Sequence, residues 1–137
     1  MIRAVVAGAA ARAAMSTGVG IDLLEVNRLE RALERHPRLA ERVFTPGELD
    51  YSRARRRPGR HLAARFAAKE AAVKALGLHD VALREIEVVA GEPPTLRLHG
   101  RARAAAREQG VELAVSLTHS QEMAAAVVVA GDAQRSP

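Results

Sequence analysis

The sequence predicts an α+β fold with a mostly antiparallel sheet and one long central helix. Strand-like and helix-like segments alternate without the regular βαβαβ rhythm that predicts a parallel sheet. The strongest helical segment, Arg65–Gly77, lies near the middle of the chain. The 137 residues, 48% hydrophobic and 27% charged, have the size and composition of a single globular domain.

Charge and composition narrow the classes of partner. The formal net charge of +5 favours anionic partners: nucleic acid, phosphorylated small molecules, acidic proteins or membrane headgroups. Aromatic residues make up only 2%, and no helix-turn-helix or zinc-finger pattern is present, which argues against nucleic acid. No uncharged apolar stretch of about 18 residues could span a membrane. We therefore predict a protein that binds neither nucleic acid nor membranes.

Cysteine is absent from the chain. Its absence excludes disulfides, thiolate metal sites and a cysteine nucleophile, and is compatible with a reducing compartment. We therefore predict a cytoplasmic location. Residues 1–16 are predicted to be an N-terminal extension that is poorly ordered, 17–132 the folded domain, and 133–137 a tail.

The first strand signal places Val19, Ile21 and Leu23 on one side and Gly20 and Asp22 on the other. Asp and Gly are both poor strand formers, so their presence in a strand requires an explanation. One interpretation is an edge strand whose Asp22 is solvated. The other is a close approach of the backbone to a ligand, with Asp22 as a ligand or a base.

Helix signals follow this strand. Asn27, with Glu30 three residues later, predicts a capped helix start, and Pro37 predicts the end of that helix. A short helix over Leu39–Val43 is expected next. A threonine cap, a proline and a glutamate in Thr45–Glu48 then predict the start of a further helix.

This further helix is expected to end near Arg56, inside the basic run Arg53–Arg60. The run lies at a predicted turn that contains Pro58 and Gly59. It is either a solvated loop or a docking site for a phosphate or an acidic partner protein.

The central helix is rich in Ala, Leu, Lys and Glu, which favour helices, and Gly77 predicts its end. Glu70 and Lys74 lie four residues apart and share one face. Lys69 projects into the apolar face, where it either extends outward or serves a function. Without further information this is an ordinary amphipathic helix with one ion pair. Four side chains form the predicted apolar face: Leu62, Phe66, Val73 and Leu76.

The C-terminal half is predicted to contain four strands and one helix. In chain order these are strands Ile86–Val89 and Thr95–Leu98, helix Ala102–Glu108, and strands Leu113–Leu117 and Met123–Ala130, with a turn over Thr118–Gln121. The last strand is apolar on both faces, so something must cover its second face. The cover is either another subunit, whose contact a charge at Val127 or Val128 would disrupt, or the helices of the same monomer.

Four segments together resemble the signature motifs of the holo-acyl-carrier-protein synthases, the small bacterial-type 4′-phosphopantetheinyl transferases. They are Gly20-Ile21-Asp22 followed by Arg28, Phe44-Thr45 followed by Glu48, Arg65 to Gly77, and Val115 to Ser120 followed by Ala124–Ala126. They occur in the order of the family and at close to its spacing. The segment Leu78–Glu85, however, is shorter than the Gly-rich loop that the family often carries there.

The resemblance implies a 4′-phosphopantetheinyl transferase-like fold and a Mg²⁺-dependent enzyme. Such an enzyme transfers the 4′-phosphopantetheine group of coenzyme A to a serine hydroxyl of an acyl carrier protein and releases 3′,5′-ADP. Displacement at a pyrophosphate needs positioning and charge neutralisation more than covalent catalysis. The resemblance also implies a homotrimer with active sites between protomers. The alternative is a non-catalytic module that binds coenzyme A or a carrier protein.

The resemblance also implies the site residues. Asp22 and Glu70 would hold Mg²⁺, which takes one or two carboxylates together with phosphate and water. These two carboxylates and Lys74 would be the catalytic residues, with Lys74 reaching a phosphate oxygen or accepting the serine proton. Arg28 would contact the acidic carrier protein. Coenzyme A would be bound by four basic side chains: Arg65, Lys69, Lys74 and His119.

Overall fold

The computed structural model describes residues 18–133, which form two antiparallel sheets, five α-helices and one 3₁₀ turn. The strands are β1 Gly18–Glu25, β2 Ile86–Val89, β3 Thr95–Leu98, β4 Val111–His119 and β5 Met123–Asp132. The helices are α1 Val26–Arg35, α2 Leu39–Val43, α3 Pro46–Arg53, α4 Pro58–Leu76 and α5 Gly100–Gln109, with the 3₁₀ turn at Leu83–Glu85. The predicted α+β fold is confirmed. The predicted extension 1–16 and residues 134–137 of the predicted tail lie outside the described residues.

The larger sheet has the strand order β1-β5-β4, and the smaller sheet is the β2–β3 hairpin. Both pairings of β5 are antiparallel: Asp22 lies opposite Ala126, and Ala126 lies opposite Leu117. Helix α4 packs along one face of the larger sheet and is the central element of the fold. None of the helices within residues 18–133 is long and apolar enough to cross a membrane.

Helix α4 has the boundaries that its sequence favours at both ends. Pro58 occupies its first turn, and Gly77 ends it in the left-handed conformation with a φ of 64°. Its contact with the sheet differs from the predicted apolar face, because Phe66 and Val73 are only partly buried. The buried side chains are mostly alanines: Ala63, Ala64, Ala67, Ala68, Ala71, Ala72 and Ala75. Small side chains allow the helix to lie close to the strands.

The closest approach is at the glycines of β1. A Cβ atom on Gly18 would overlap the carbonyl oxygen of Ala75, and one on Gly20 would overlap that of Ala71. The two interpretations of this strand were an edge strand with a solvated Asp22 and a close approach of the backbone to a ligand. β1 is an edge strand of the larger sheet, but Asp22 is mostly buried. The structure shows that the close neighbour of Gly18 and Gly20 is the backbone of α4.

Three local predictions for α1 and α3 had different outcomes. The capping box at the start of α3 is confirmed, since the Thr45 hydroxyl accepts from the Glu48 amide and the Glu48 carboxylate accepts from the Thr45 amide. The predicted Asn27 cap is wrong: α1 begins at Val26, and no side chain caps it. Helix α3 ends at Arg53, before the predicted Arg56.

The outer face of the larger sheet is apolar and uncovered by the other described residues. Val19, Ile21 and Leu23 are 67%, 69% and 65% exposed, and Val129 is 41% exposed. Val127 of β5 pairs with Ile21 and points to this face, whereas the adjacent Val128 is fully buried under α4. The helices therefore cover only one of the two apolar faces of β5.

Candidate active site

The three predicted catalytic residues lie together where β1 crosses α4. The ammonium of Lys74 donates to Asp22 Oδ1 at 3.3 Å and to the carbonyl oxygen of Ile21 at 2.9 Å. Glu70 lies one helical turn before Lys74 on the same flank of α4, because residues four apart share a face. The side chain of Lys74 is half exposed, whereas that of Asp22 is mostly buried. The group therefore opens to solvent on the Lys74 side.

The two carboxylates influence each other. Burial raises the pKa of Glu70, the nearby negative charge of Asp22 raises it further, and Lys74 acts in the opposite direction. A partly buried carboxylate destabilised by a second carboxylate is an environment that a cation would stabilise. Residues 18–133 contain no group of three or more His, Asp or Glu side chains suited to a metal. The two carboxylates Asp22 and Glu70 are the number that Mg²⁺ takes when phosphate and water supply its other ligands.

A second group of side chains surrounds Arg65, on the other flank of α4. Arg65 is only 4% exposed, its guanidinium stacks 4.0 Å from the ring centre of Tyr51, and its Nε has no hydrogen-bond partner among the described residues. Arg55 covers the same ring at 3.7 Å. Within residues 18–133 no carboxylate lies within 4.0 Å of the Arg65 guanidinium. A buried cation without an acidic partner is suited to bind an anion.

His119 belongs to this second group. It is the last residue of β4, not part of the turn as predicted, and its ring lies edge-on to that of His61 with centroids 5.0 Å apart. Burial lowers the pKa of His61, and the positive charges of His119 and Arg65 lower it further. His61 therefore favours its neutral form, in which one ring nitrogen can accept a hydrogen bond.

His61 and Tyr51 were missed in the sequence. A signal was present for each: His61 precedes Arg65 by one helical turn, and Tyr51 is the single tyrosine in the chain. Neither feature is specific enough to predict a site without the contacts between α3, α4 and β4.

The two groups are separated by the body of α4. Glu70 follows His61 by nine positions, and at about 100° per residue this places the two residues on opposite sides of the helix. Arg65 and Glu70 are about 140° apart by the same measure. One protomer therefore brings Asp22, Glu70 and Lys74 together, but does not bring Arg65 and His119 to them.

Lys69 does not belong to either group, which corrects its predicted role in coenzyme binding. Its ammonium and the Glu48 carboxylate are fully buried and 2.7 Å apart. Lys69 also donates to the carbonyl oxygens of Leu83, at 3.1 Å, and Ile86. An ammonium has three hydrogens, so these three acceptors use its full capacity. Lys69 is thus a structural residue that joins α4 to α3, to the 3₁₀ turn and to the start of β2.

Arg28 is exposed on α1, as predicted for a residue that contacts a partner. A groove at the end of this helix and the start of α2 was not predicted from the sequence. Four basic side chains and two apolar residues line it: Arg35, His36, Pro37, Arg38, Leu39 and Arg42. The basic surface near Arg28 is therefore larger than the sequence motif indicated.

Comparison with known proteins identifies the family. The model of the "4'-phosphopantetheinyl transferase superfamily" matches residues 18–128, which is most of the chain. The chain belongs to the 4′-phosphopantetheinyl transferase superfamily. Within it, the chain is 55% identical over 115 residues to the holo-[acyl-carrier-protein] synthase of Moorella thermoacetica, covering 80% of this chain and 90% of that protein. It is 50% identical over 117 residues to the synthase of Streptomyces coelicolor, with 82% and 95% coverage.

Solved structures of holo-[acyl-carrier-protein] synthases have the same fold. The Chronobacterium ammoniagenes ACPS–CoA complex aligns with a TM-score of 0.77 and 31% identity, covering 86% of this chain and 98% of that one. A synthase from Bacillus anthracis in complex with CoA (3′,5′-ADP) aligns with a TM-score of 0.69 and 32% identity, with 85% and 96% coverage. The predicted family, fold and enzyme class are thereby confirmed.

Proposed function

We propose that this chain transfers the 4′-phosphopantetheine group of coenzyme A to a serine hydroxyl of an acyl carrier protein, with Mg²⁺, and releases 3′,5′-ADP. The relatives named as holo-[acyl-carrier-protein] synthases support the reaction. The observation that carries the assignment of residues is the group of Asp22, Glu70 and Lys74 at the crossing of β1 and α4.

Each member of the group has a distinct role in this proposal. Asp22 and Glu70 would hold the cation, which would neutralise charge on the pyrophosphate oxygens. Lys74 carries an exposed ammonium beside the two carboxylates and would bind a phosphate oxygen of the coenzyme. Its neutral form would accept the proton of the attacking serine hydroxyl. None of these roles requires a covalent intermediate with the enzyme.

Arg65 and His119 are proposed to bind phosphate groups of the same coenzyme molecule. The Arg65 guanidinium is buried without an acidic partner, and His119 is exposed next to it across His61. Both are therefore available to an anion, in contrast to Lys69.

The site is proposed to form between protomers of a homotrimer. Two observations support this. The group of Asp22, Glu70 and Lys74 and the group around Arg65 and His119 lie on opposite flanks of α4. A second protomer is therefore needed to bring one group to the other. The uncovered face with Val19, Ile21, Leu23 and Val129 supplies an apolar surface for such a contact.

The carrier protein is proposed to dock on α1. Arg28 is exposed there, and the groove at Arg35, Arg38 and Arg42 continues the positive surface. A positive surface of this kind attracts an acidic partner and increases its rate of association. The predicted cytoplasmic location stays a prediction, since no observation on residues 18–133 tests it.

The test is an assay with apo acyl carrier protein, coenzyme A and Mg²⁺, in which the mass of the carrier is followed over time. The expected result is the mass increase of one phosphopantetheine group, together with release of 3′,5′-ADP. Excess chelator, Asp22→Ala and Glu70→Ala should each stop the reaction while circular dichroism remains unchanged. Coenzyme binding without transfer by the wild-type chain would instead support the binding module.

A further inference from the structure

Arg57, from the basic run Arg53–Arg60, joins three elements of the fold. Its Nη1 donates to the carbonyl oxygen of Gln121, in the turn between β4 and β5, at 2.7 Å. Its Nη2 donates to Asn27 Oδ1 at 3.2 Å and to Glu30 Oε1 at 3.0 Å, both on α1. Arg57 itself is the residue immediately before α4. A single guanidinium therefore connects α1, the start of α4 and the β4–β5 turn.

Other contacts hold the same elements together. The amide of Val26 donates to the carbonyl oxygen of Glu122 at 2.8 Å, which ties the start of α1 to the same turn. A Cβ atom on Gly59 would overlap the side chain of Glu30, so α1 lies directly against the first turn of α4. The three elements thus meet at one point, and the Arg57 guanidinium lies within it.

Stability alone is a weak reason for this arrangement. The side chains of Arg57 and Glu30 are 34% and 31% exposed. Ion pairs exposed to this degree typically contribute little to the stability of the fold. What the forked guanidinium provides is a defined geometry, because its donors are held in one rigid plane.

The residues that the Arg57 guanidinium contacts are close in sequence to two proposed site residues. Arg28 lies between Asn27 and Glu30 on α1, and His119 lies two residues before Gln121. We propose that Arg57 is a positioning residue for phosphopantetheine transfer, which fixes the carrier-docking helix α1 relative to the β4–β5 turn that directly follows His119. This inference rests on the proposed function, in which Arg28 meets the carrier and His119 meets the coenzyme.

Loss of the Arg57 side chain is expected to affect the alignment of the two substrates more than the binding of either one. Each substrate keeps its own contacts when Arg57 is lost, since neither contacts Arg57 in this proposal. What loosens is the position of the docked serine relative to the pyrophosphate. Misplacement of reacting groups by about 1 Å can reduce a rate by up to about 100-fold.

The test compares Arg57→Met with Arg56→Met in the full chain. Arg56 is a matched control because it is adjacent, exposed and without a hydrogen bond or ion pair within residues 18–133. Steady-state kinetics with apo carrier and coenzyme A should show about a tenfold lower kcat for Arg57→Met. Both KM values should stay within about twofold of the wild type. Arg56→Met should leave kcat unchanged.

A second variant, Glu30→Gln, keeps the side chain that packs on Gly59 but weakens its bond to Arg57. It should lower kcat by a smaller factor with the same unchanged KM values, and it decides the question if Arg57→Met does not fold. Equal kcat for the two arginine variants, an effect on KM alone, or an unchanged kcat for Glu30→Gln would overturn the positioning role. Absence of transfer by the wild type would instead overturn the proposed function.

Discussion

Gly20 of β1 lies directly against the carbonyl oxygen of Ala71 on α4, with no space for a side chain between them. Two residues after Gly20 on the same face of the strand is Asp22, and one residue before Ala71 is Glu70. The close packing of strand and helix is therefore what brings the two carboxylates together.

The first prediction follows from this contact. Gly20→Ala should destabilise the protein by about 1–3 kcal/mol or more, because the new methyl group must push α4 away from β1. The same shift should separate Asp22 from Glu70 and lower activity in the fraction that remains folded. Thermal unfolding and the transfer assay measure the two effects. Gly47→Ala is the control, since a Cβ at Gly47 would meet only ordinary contacts.

The second prediction concerns pH. The raised pKa of Glu70 means that the folded state holds this proton more tightly than the unfolded state does. The charged carboxylate therefore lowers the free energy of unfolding by its full amount above the folded pKa, and this cost decreases as pH falls below the folded pKa and is gone below the unfolded pKa. Glu70→Gln should unfold at a higher temperature than wild type at neutral pH without Mg²⁺, and the difference should shrink in acid. A constant difference across this range would contradict the assigned environment.

Added Mg²⁺ should change the same measurement. A cation between Asp22 and Glu70 favours the charged form and opposes both causes of the raised pKa. The wild type should therefore gain thermal stability from Mg²⁺ at neutral pH, whereas Glu70→Gln should gain much less.

The third prediction concerns Lys69. Lys69→Met should destabilise the protein by about 3–5 kcal/mol, because it leaves the buried carboxylate of Glu48 without its cation. Urea unfolding measures this change. The affinity of the folded protein for coenzyme A, measured by calorimetry, should stay close to that of the wild type. A large loss of coenzyme affinity with unchanged stability would restore Lys69 to the coenzyme site.

The fourth prediction concerns carrier docking. Arg28→Glu should raise the KM for the carrier protein about tenfold, because a like charge then faces an acidic partner. The KM for coenzyme A should change little. Added salt should reduce the effect of the substitution, since exposed charges are screened. Equal changes in both KM values would indicate misfolding or a different docking surface.

The fifth prediction concerns assembly. Light scattering should give about three times the chain mass of 14.7 kDa at micromolar concentration. Val127→Glu places a charge on the uncovered face and should lower both mass and activity. Arg107→Glu, on the exposed side of α5, should change neither. A mass near that of one chain for the wild type would exclude the trimer.

Many local features could be predicted from the sequence. The capping box at Thr45 and Glu48, the helix end at Gly77 and the hairpin of β2 and β3 all depend on residues close in sequence. The alternation around Ile21 likewise assigned the two faces of β1. Such features follow from backbone propensity and short-range hydrogen bonds, which a sequence displays directly. The motifs that resembled the family were local in the same sense.

The tertiary structure decided how those local features are used. The sequence predicted that Lys69 binds the coenzyme. In the structure its ammonium instead donates to the carboxylate of Glu48, which lies 21 residues away in the sequence. Asn27 looked like a cap, but it accepts a hydrogen bond from Arg57, 30 residues later. Val127 and Val128 are equivalent in the sequence, and only the packing of α4 on one face of β5 makes Val128 fully buried while Val127 is partly buried. Each of these side chains could have several roles, and contacts with residues far away in the sequence decide which one it has. A short sequence pattern contains no information about those contacts.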